Sequence, residues 1–184
     1  EDGSYRQVGV VRDISDRKRF EETLAALHES TRKLLHTETK TAVAEQILET
    51  AVDVLELPDV EIYLFDRSDN TLRSVGGAEA DRSTSVGPGE STVWDVFVQD
   101  SAVEVAPGER IDLGAGPVTA DARRLCLPLE DHGVFYIELG EQHSDARTRE
   151  MVDLLAASAK AALARVDRET TLREREAERR EQDH

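Results

Sequence analysis

Arg124-Leu125-Cys126-Leu127-Pro128-Leu129, a turn at Asp131-His132-Gly133, then Val134-Phe135-Tyr136-Ile137-Glu138-Leu139: this stretch decides the fold. Two apolar runs joined by a Gly-bearing turn read as a β-hairpin. Side chains alternate along a strand. Arg124, Cys126 and Pro128 therefore share one face, as do Val134, Tyr136 and Glu138, while the opposite face is wholly apolar. A sheet with one apolar face and one mixed face needs two different covers.

Working outward, Val60 to Phe65 repeats the pattern, with Val60, Ile62 and Leu64 on one side and Glu61, Tyr63 and Phe65 on the other. Asp66 to Asn70 is a turn, and Thr71 to Val75 is a further strand closed by Gly76-Gly77. Residues 78–90 form a polar loop. Glu90-Ser91 opens a short helix from Thr92 to Gln99 that carries Val93, Trp94, Val96 and Phe97; Ala102 to Val105 is a short strand, and Pro107 to Ala122 a long loop.

Helices flank this block. Lys40 to Leu57 carries the stripe Ala44, Ile47, Leu48, Ala51, Val52 and Leu55 and stops before Pro58. Ser144 caps a long helix from Asp145 to Glu181, with Met151, Leu154, Leu155, Ala161, Ala162 and Val166 on its apolar side and almost pure charge beyond Arg168. Before the block, Val8 to Val11 has strand character and leads into a helix from Asp16 to His36, with Ser15 as its cap. In that helix Phe20, Leu24, Leu27, Thr31 and Leu34 recur at spacings of four, three, four and three, a coiled-coil seam. The element order gives an α+β class, an antiparallel sheet with flanking helices.

The 184 residues suit one domain of about 130 residues plus flanking helices. Lys and Arg total 23 and Asp and Glu 39, a net charge of −16. Such a chain repels phosphate backbones and anionic lipid, so direct nucleic-acid contact by this segment is not expected. Many acidic and few Lys residues suggest a high-salt cytoplasm, where repulsion is screened within roughly 3 Å at 1 M; an ordinary acidic protein is the alternative. No run of about 18 apolar residues occurs, and no secretory signal is visible, so a cytoplasmic protein is expected. The single cysteine, Cys126, excludes an internal disulfide and a Cys-based zinc cluster.

Residues 8–24, Val-Gly-Val-Val-Arg-Asp-Ile-Ser-Asp-Arg-Lys-Arg-Phe-Glu-Glu-Thr-Leu, resemble the C-terminal edge of a PAS sensor domain, in which a last strand ends in Asp-Ile-Thr/Ser-Asp/Glu-Arg-Lys and passes into a signalling helix. The PAS ligand pocket would lie outside this segment. Residues 38–165 resemble a GAF domain, through Ala51-Val52-Asp53-Val54-Leu55, the strand Val60 to Asp66 and the hairpin above. That resemblance implies an antiparallel sheet of five to six strands flanked by helices, with the long terminal helices coiled-coil-like. It divides the chain into a PAS edge (1–15), a connector helix (16–37), a GAF domain (38–165) and a charged helical extension (166–184). A PAS edge before a GAF domain in an acidic chain is similar to haloarchaeal sensor-regulators of the bacterio-opsin-activator type, which implies a role in signal transduction and transcription regulation.

The GAF resemblance also implies a small-molecule pocket on one sheet face. Alternation makes Tyr63, Phe65, Cys126, Tyr136 and Glu138 its candidates, with Trp94 and Phe97 of the short helix as a lid. The plain alternative is that these side chains only pack. The seam residues Phe20, Leu24, Leu27 and Leu34, with Met151, Leu155 and Ala162 of the last helix, are candidates for a parallel homodimer that relays a signal. Cys126 lies among apolar neighbours, which favours a structural thiol over a redox one. The five histidines form no metal-spaced pair and fall at expected surface or turn positions. No Gly-rich phosphate loop or nucleophile triad is present. The expectation is a non-enzymatic relay module of unknown cofactor; the rivals are a redox sensor or enzyme using Cys126 and a ligand-free GAF dimerisation scaffold.

Overall fold

The computed structural model describes residues 3–76, 85–143 and 145–183, and over residues 3–13 the backbone alone. The chain runs α1 (Gly3–Arg32), a 3-10 turn (Lys33–His36), α2 (Lys40–Asp53), β1 (Asp59–Asp66), β2 (Thr71–Val75), β3 (Ser85–Val86), α3 (Thr92–Gln99), β4 (Val103–Val105), β5 (Arg110–Asp112), β6 (Pro117–Thr119), β7 (Arg123–Pro128), β8 (Gly133–Leu139), a 3-10 turn (Glu141–His143) and α4 (Ala146–Gln182). Six strands form an antiparallel sheet in the order β3-β2-β1-β8-β7-β4. The expected strand count and the α+β architecture are both present.

The β7–β8 hairpin is the centre of the sheet, with Cys126 opposite Tyr136 and Leu127 opposite Phe135. β8 then pairs with β1, placing Tyr136 opposite Glu61. Glycine is required at the start of β8: a Cβ on Gly133 would fall 1.8 Å from the Tyr63 carbonyl oxygen. β1 and β8 can approach there only without a side chain.

Local chemistry sets the helix ends. The Thr39 hydroxyl accepts from the Ala42 amide at 3.1 Å and starts α2. Just past the end of α2 the backbone turns left-handed at Glu56 (φ 53) before Pro58. Ser91 caps α3 through the Trp94 amide, and Asp100 ends it in the left-handed conformation. Asp145 caps α4 through the Thr148 amide at 2.9 Å. The expected cap, Ser144, lies outside the described residues, as do Gly77 and residues 78–84 of the polar loop.

The helices α1, α2 and α4 cover the apolar face. Val60, Ile62, Leu64, Leu125, Leu127, Leu129, Phe135, Ile137 and Leu139 pack there with Ile47 and Ala51 of α2 and Val152, Leu155, Ala159 and Leu163 of α4. Beneath α3, a separate cluster joins Tyr63, Leu72, Val86, Val93, Val96, Val105, Ile111, Cys126, Val134 and Tyr136.

Three expectations change. Residues 8–11, expected as a strand, lie within α1. A strand there has no ladder partner among the described residues, and a helix satisfies its own N–H and C=O groups. The seam assigned to a partner helix is occupied by the chain itself: Leu27, Leu34, Met151, Leu155 and Ala162 are buried in the helix-side core, with Phe20 and Leu24 packed against it. A four-three repeat marks a helix face that is buried, whether by a second chain or by α2 and α4 of the same one. The loop from Pro107 to Ala122 contains the small hairpin β5–β6, whose strands are too short for periodicity to reveal.

Candidate functional site

The mixed face of the sheet gathers most of the expected pocket residues. Tyr63, Cys126 and Tyr136 are buried side by side on it, and the short helix α3 lies over them through Val93 and Val96. Trp94 and Phe97 pack at the edge of this core rather than within it. They are half-buried and gather around Phe65, with ring centroids 4.7 Å apart for Phe65–Phe97 and 6.5 Å for Phe65–Trp94. A helix of about two turns can bury only one narrow stripe, and the valines take it. Glu138 sits half-buried at the edge of this face, directly opposite Arg124 in the ladder.

Polar groups enter this face at one end. The Tyr63 hydroxyl donates to Glu61 at 2.9 Å, and the Ser74 hydroxyl donates to the other oxygen of the same carboxylate. Arg124 is 1% exposed. Its guanidinium donates to the Glu109 carbonyl at 2.6 Å, while its Nε is buried with no hydrogen-bond partner. Burial pushes both tyrosines well above the usual phenol range, with Glu61 adding to the effect at Tyr63, and Asp59 and Glu138 at Tyr136. Burial also pushes the Cys126 thiol up to about 12, against the opposing pull of Arg124. At neutral pH that thiol is protonated, and the thiolate is the nucleophilic form.

Two clefts open elsewhere. One of about 920 Å³ lies between α1, the end of α2 and the start of α4. Arg147 stacks over Phe20 there at 5.1 Å, and His143 is buried with its Nε2 3.1 Å from the Leu55 carbonyl. The other, of about 500 Å³, lies where α4 passes the tip of the sheet. Beside it His132 is 4% exposed. Its Nδ1 is 3.4 Å from both Lys40 Nζ and Asp167, and its Nε2 is 3.5 Å from Asp131. His132 and His143 are thus interior residues, contrary to the surface placement expected of them. Glu130, Asp131 and His132 also bring one donor atom each within 4.8 Å. Lys40, Asp167 and Asp131 surround the buried imidazole.

One connector was not visible in the sequence. Arg165 of α4 donates to the Leu34 carbonyl at 2.7 Å and to the Thr37 carbonyl at 2.8 Å, and its other nitrogen pairs with Glu169 at 3.0 Å. It closes the C-terminal carbonyls of the first helical segment onto the last helix.

Solved structures share this arrangement. The GAF domain of a phosphoenolpyruvate-protein phosphotransferase from Coxiella burnetii superposes with a TM-score of 0.66 at 13% identity, over 83% of this chain and 98% of that one. The fold is that of a GAF domain. A free methionine-R-sulfoxide reductase from Neisseria meningitidis, solved with its substrate, shares the fold at a TM-score of 0.62 and 13% identity, over 80% of this chain and 91% of that one. The GAF domain of a two-component sensor histidine kinase from Bacillus halodurans gives 0.53 and 10%, over 71% and 97%. No protein-family model and no curated protein matches the sequence. In this GAF fold the tyrosine-bearing face lies under α3, and the helix-covered face carries the long α4. Among the described residues no helix is long and apolar enough to cross a membrane.

Proposed function

We propose that the chain is a sensory module without chemistry of its own, which takes a small molecule between α3 and the Tyr63–Cys126–Tyr136 face and relays its presence through α4. The observation that carries this reading is the second core. It buries two tyrosines, a cysteine and an arginine, and its helical cover rests on two valines. A face built only to be filled has no use for such polar groups, whereas a ligand needs a few of them in an apolar surround. The kinship of fold with a GAF domain of a sensor histidine kinase supports the same reading.

The Asp13-to-Lys18 run, with its resemblance to a PAS edge, makes α1 the input helix; Arg165 ties the end of that segment to α4. A homodimer built on these helices uses apolar side chains that the fold leaves outside, Ile14, Leu35 and Leu154. Sedimentation at tens of micromolar tests it, and a monomer there removes the dimer from the scheme.

The test of the pocket is native mass spectrometry of the purified chain beside Val96→Trp, which crowds the face under α3, where Val96 is buried. A co-purifying small molecule in the wild type, lost in the variant, is the expected result. Apo masses in both, with no ligand-dependent change in Trp94 emission, leave a ligand-free scaffold. A redox enzyme using Cys126 finds no support in a buried, protonated thiol. Rapid alkylation of native Cys126 at neutral pH would revive it.

A further inference from the structure

The 500 Å³ cleft at the tip of the sheet has a charge pattern that the rest of the chain does not lead one to expect. Phe65, Arg67 and Asp131 reach it from the sheet and its turns, Lys40 from the start of α2, and Asp167, Arg168, Thr171, Leu172 and Arg175 from α4. Positions 168, 171, 172 and 175 lie on one side of a helix.

Four cations converge here on a chain of net charge −16. Lys40 is spent on Asp167 at 2.8 Å, and Arg67 stands 3.7 Å from Asp131, both groups exposed. Among the described residues no ion pair involves Arg168 or Arg175. Their neighbours one helical turn away are mostly Ala164, Thr171, Leu172 and Arg179, so the helix offers Arg168 no carboxylate, and Arg175 does not take Glu178. Arginine presents a planar fork suited to phosphate and carboxylate groups. The volume falls within the roughly 300–1,000 Å³ of small-molecule pockets.

We propose that this cleft is an anion site. It takes a small molecule bearing a phosphate or carboxylate group, held by Arg67, Arg168 and Arg175, with Phe65 and Leu172 against its apolar part. The bound anion bridges the sheet tip to α4 just beyond Val166, the last residue of that helix buried in the core. Occupancy then fixes how the exposed half of α4 leaves the domain. Phe65 also packs on Phe97 and Trp94, so the site adjoins the aromatic edge of the face beneath α3. The site stands apart from the pocket proposed there and does not depend on its being occupied.

Calorimetric titration of the full chain with inorganic pyrophosphate and, separately, citrate, at about 0.1 M salt where the Debye length is about 10 Å, tests it. Arg168→Gln/Arg175→Gln is compared with Arg173→Gln/Arg179→Gln, two exposed arginines on the same helix outside the cleft. The expected result is saturable binding that the first pair weakens about tenfold or more and the second by no more than about twofold, since direct charged hydrogen bonds are lost only in the first. Binding of pyrophosphate alone assigns a phosphoryl ligand, and of citrate alone a carboxylate; binding of both supports the shared anion chemistry. No binding of either anion, or equal weakening by the two double variants, overturns the site.

Discussion

The two faces of one sheet are built to different standards. On the helix side, α2 buries Val43, Ala44, Ile47, Leu48, Thr50 and Ala51, and α4 adds Met151, Val152, Leu155, Ala156, Ala159, Ala162, Leu163 and Val166. On the other side α3 buries Val93 and Val96 alone. At about 1.5–3 kcal/mol for each fully buried aliphatic side chain, the first cover is held several times more firmly. The firm face's cluster is apolar, with His143 buried at its edge against the Leu55 carbonyl, whereas the loose face holds Tyr63, Cys126, Tyr136 and Arg124 within its core. Polarity is concentrated on the loosely held side. A domain that must hold its helices in place while admitting a ligand needs that separation.

One residue from each face gives the sharpest way to break the comparison. Phe135 faces the helices and Tyr136 faces α3. Phe135→Ala is expected to cost about 3–5 kcal/mol in urea unfolding, because it leaves a cavity among residues that cannot collapse. Trp94→Ala, at the rim of the α3 side, is expected to cost about 1–2 kcal/mol, since a half-buried ring leaves its space to water. Equal costs would mean that both covers are structural.

Alkaline pH probes the loose face alone. Cys126 has its folded pKa raised to about 12 from an ordinary value of 9.0. The stability this contributes is complete below pH about 9 and is lost as pH rises towards 12, at about 1.4 kcal/mol per pH unit. Tyr63 and Tyr136, also shifted upward, extend the loss above pH about 10. Chemical denaturation between pH 8 and about 10.5 is expected to show a slope that Cys126→Ala reduces. An unchanged slope would place the thiol in water.

Arg165→Ala is expected to cost about 1.5–3 kcal/mol, the scale of hydrogen bonds from a charged donor, and to raise proteolysis near Thr37. Removal of the α4 cap, Asp145→Ala, is the smallest change, at about 1 kcal/mol. The Asp145 carboxyl is held below its usual value by Thr148. That contribution is present at neutral pH and is lost as pH falls through the folded pKa, so wild type and variant are expected to converge in acid.

Much of this fold was legible because period two survives in Val60–Phe65 and in the 124–139 hairpin. The same alternation brought Tyr63, Cys126 and Tyr136 together on one face before any register was known. Partners distant in the chain were not legible. Lys40 and His132 meet across 92 residues with Asp167 beside them, and nothing local to His132 marks it as buried. Arg165 reads as one more surface charge until the Leu34 carbonyl is placed beside it. The seam on α1 showed correctly which side is buried but not by what, because heptad spacing is indifferent to whether the covering helix comes from the same chain. Spacing of three put Trp94 and Phe97 on one side of α3, and they do pack together against Phe65, but it could not show that Val93 and Val96 take the fully buried stripe.

Hydrogen exchange of the intact chain, read by mass spectrometry, tests most directly the claim that one cover is fixed and the other opens. Peptides spanning Thr92–Gln99 are expected to exchange at least about tenfold faster than those from Lys40–Asp53 and from 146–166, reflecting local opening well below the global unfolding free energy. Protection in α3 equal to that in α2 and the first half of α4 would contradict it, and the face bearing Tyr63, Cys126 and Tyr136 would then be a closed core.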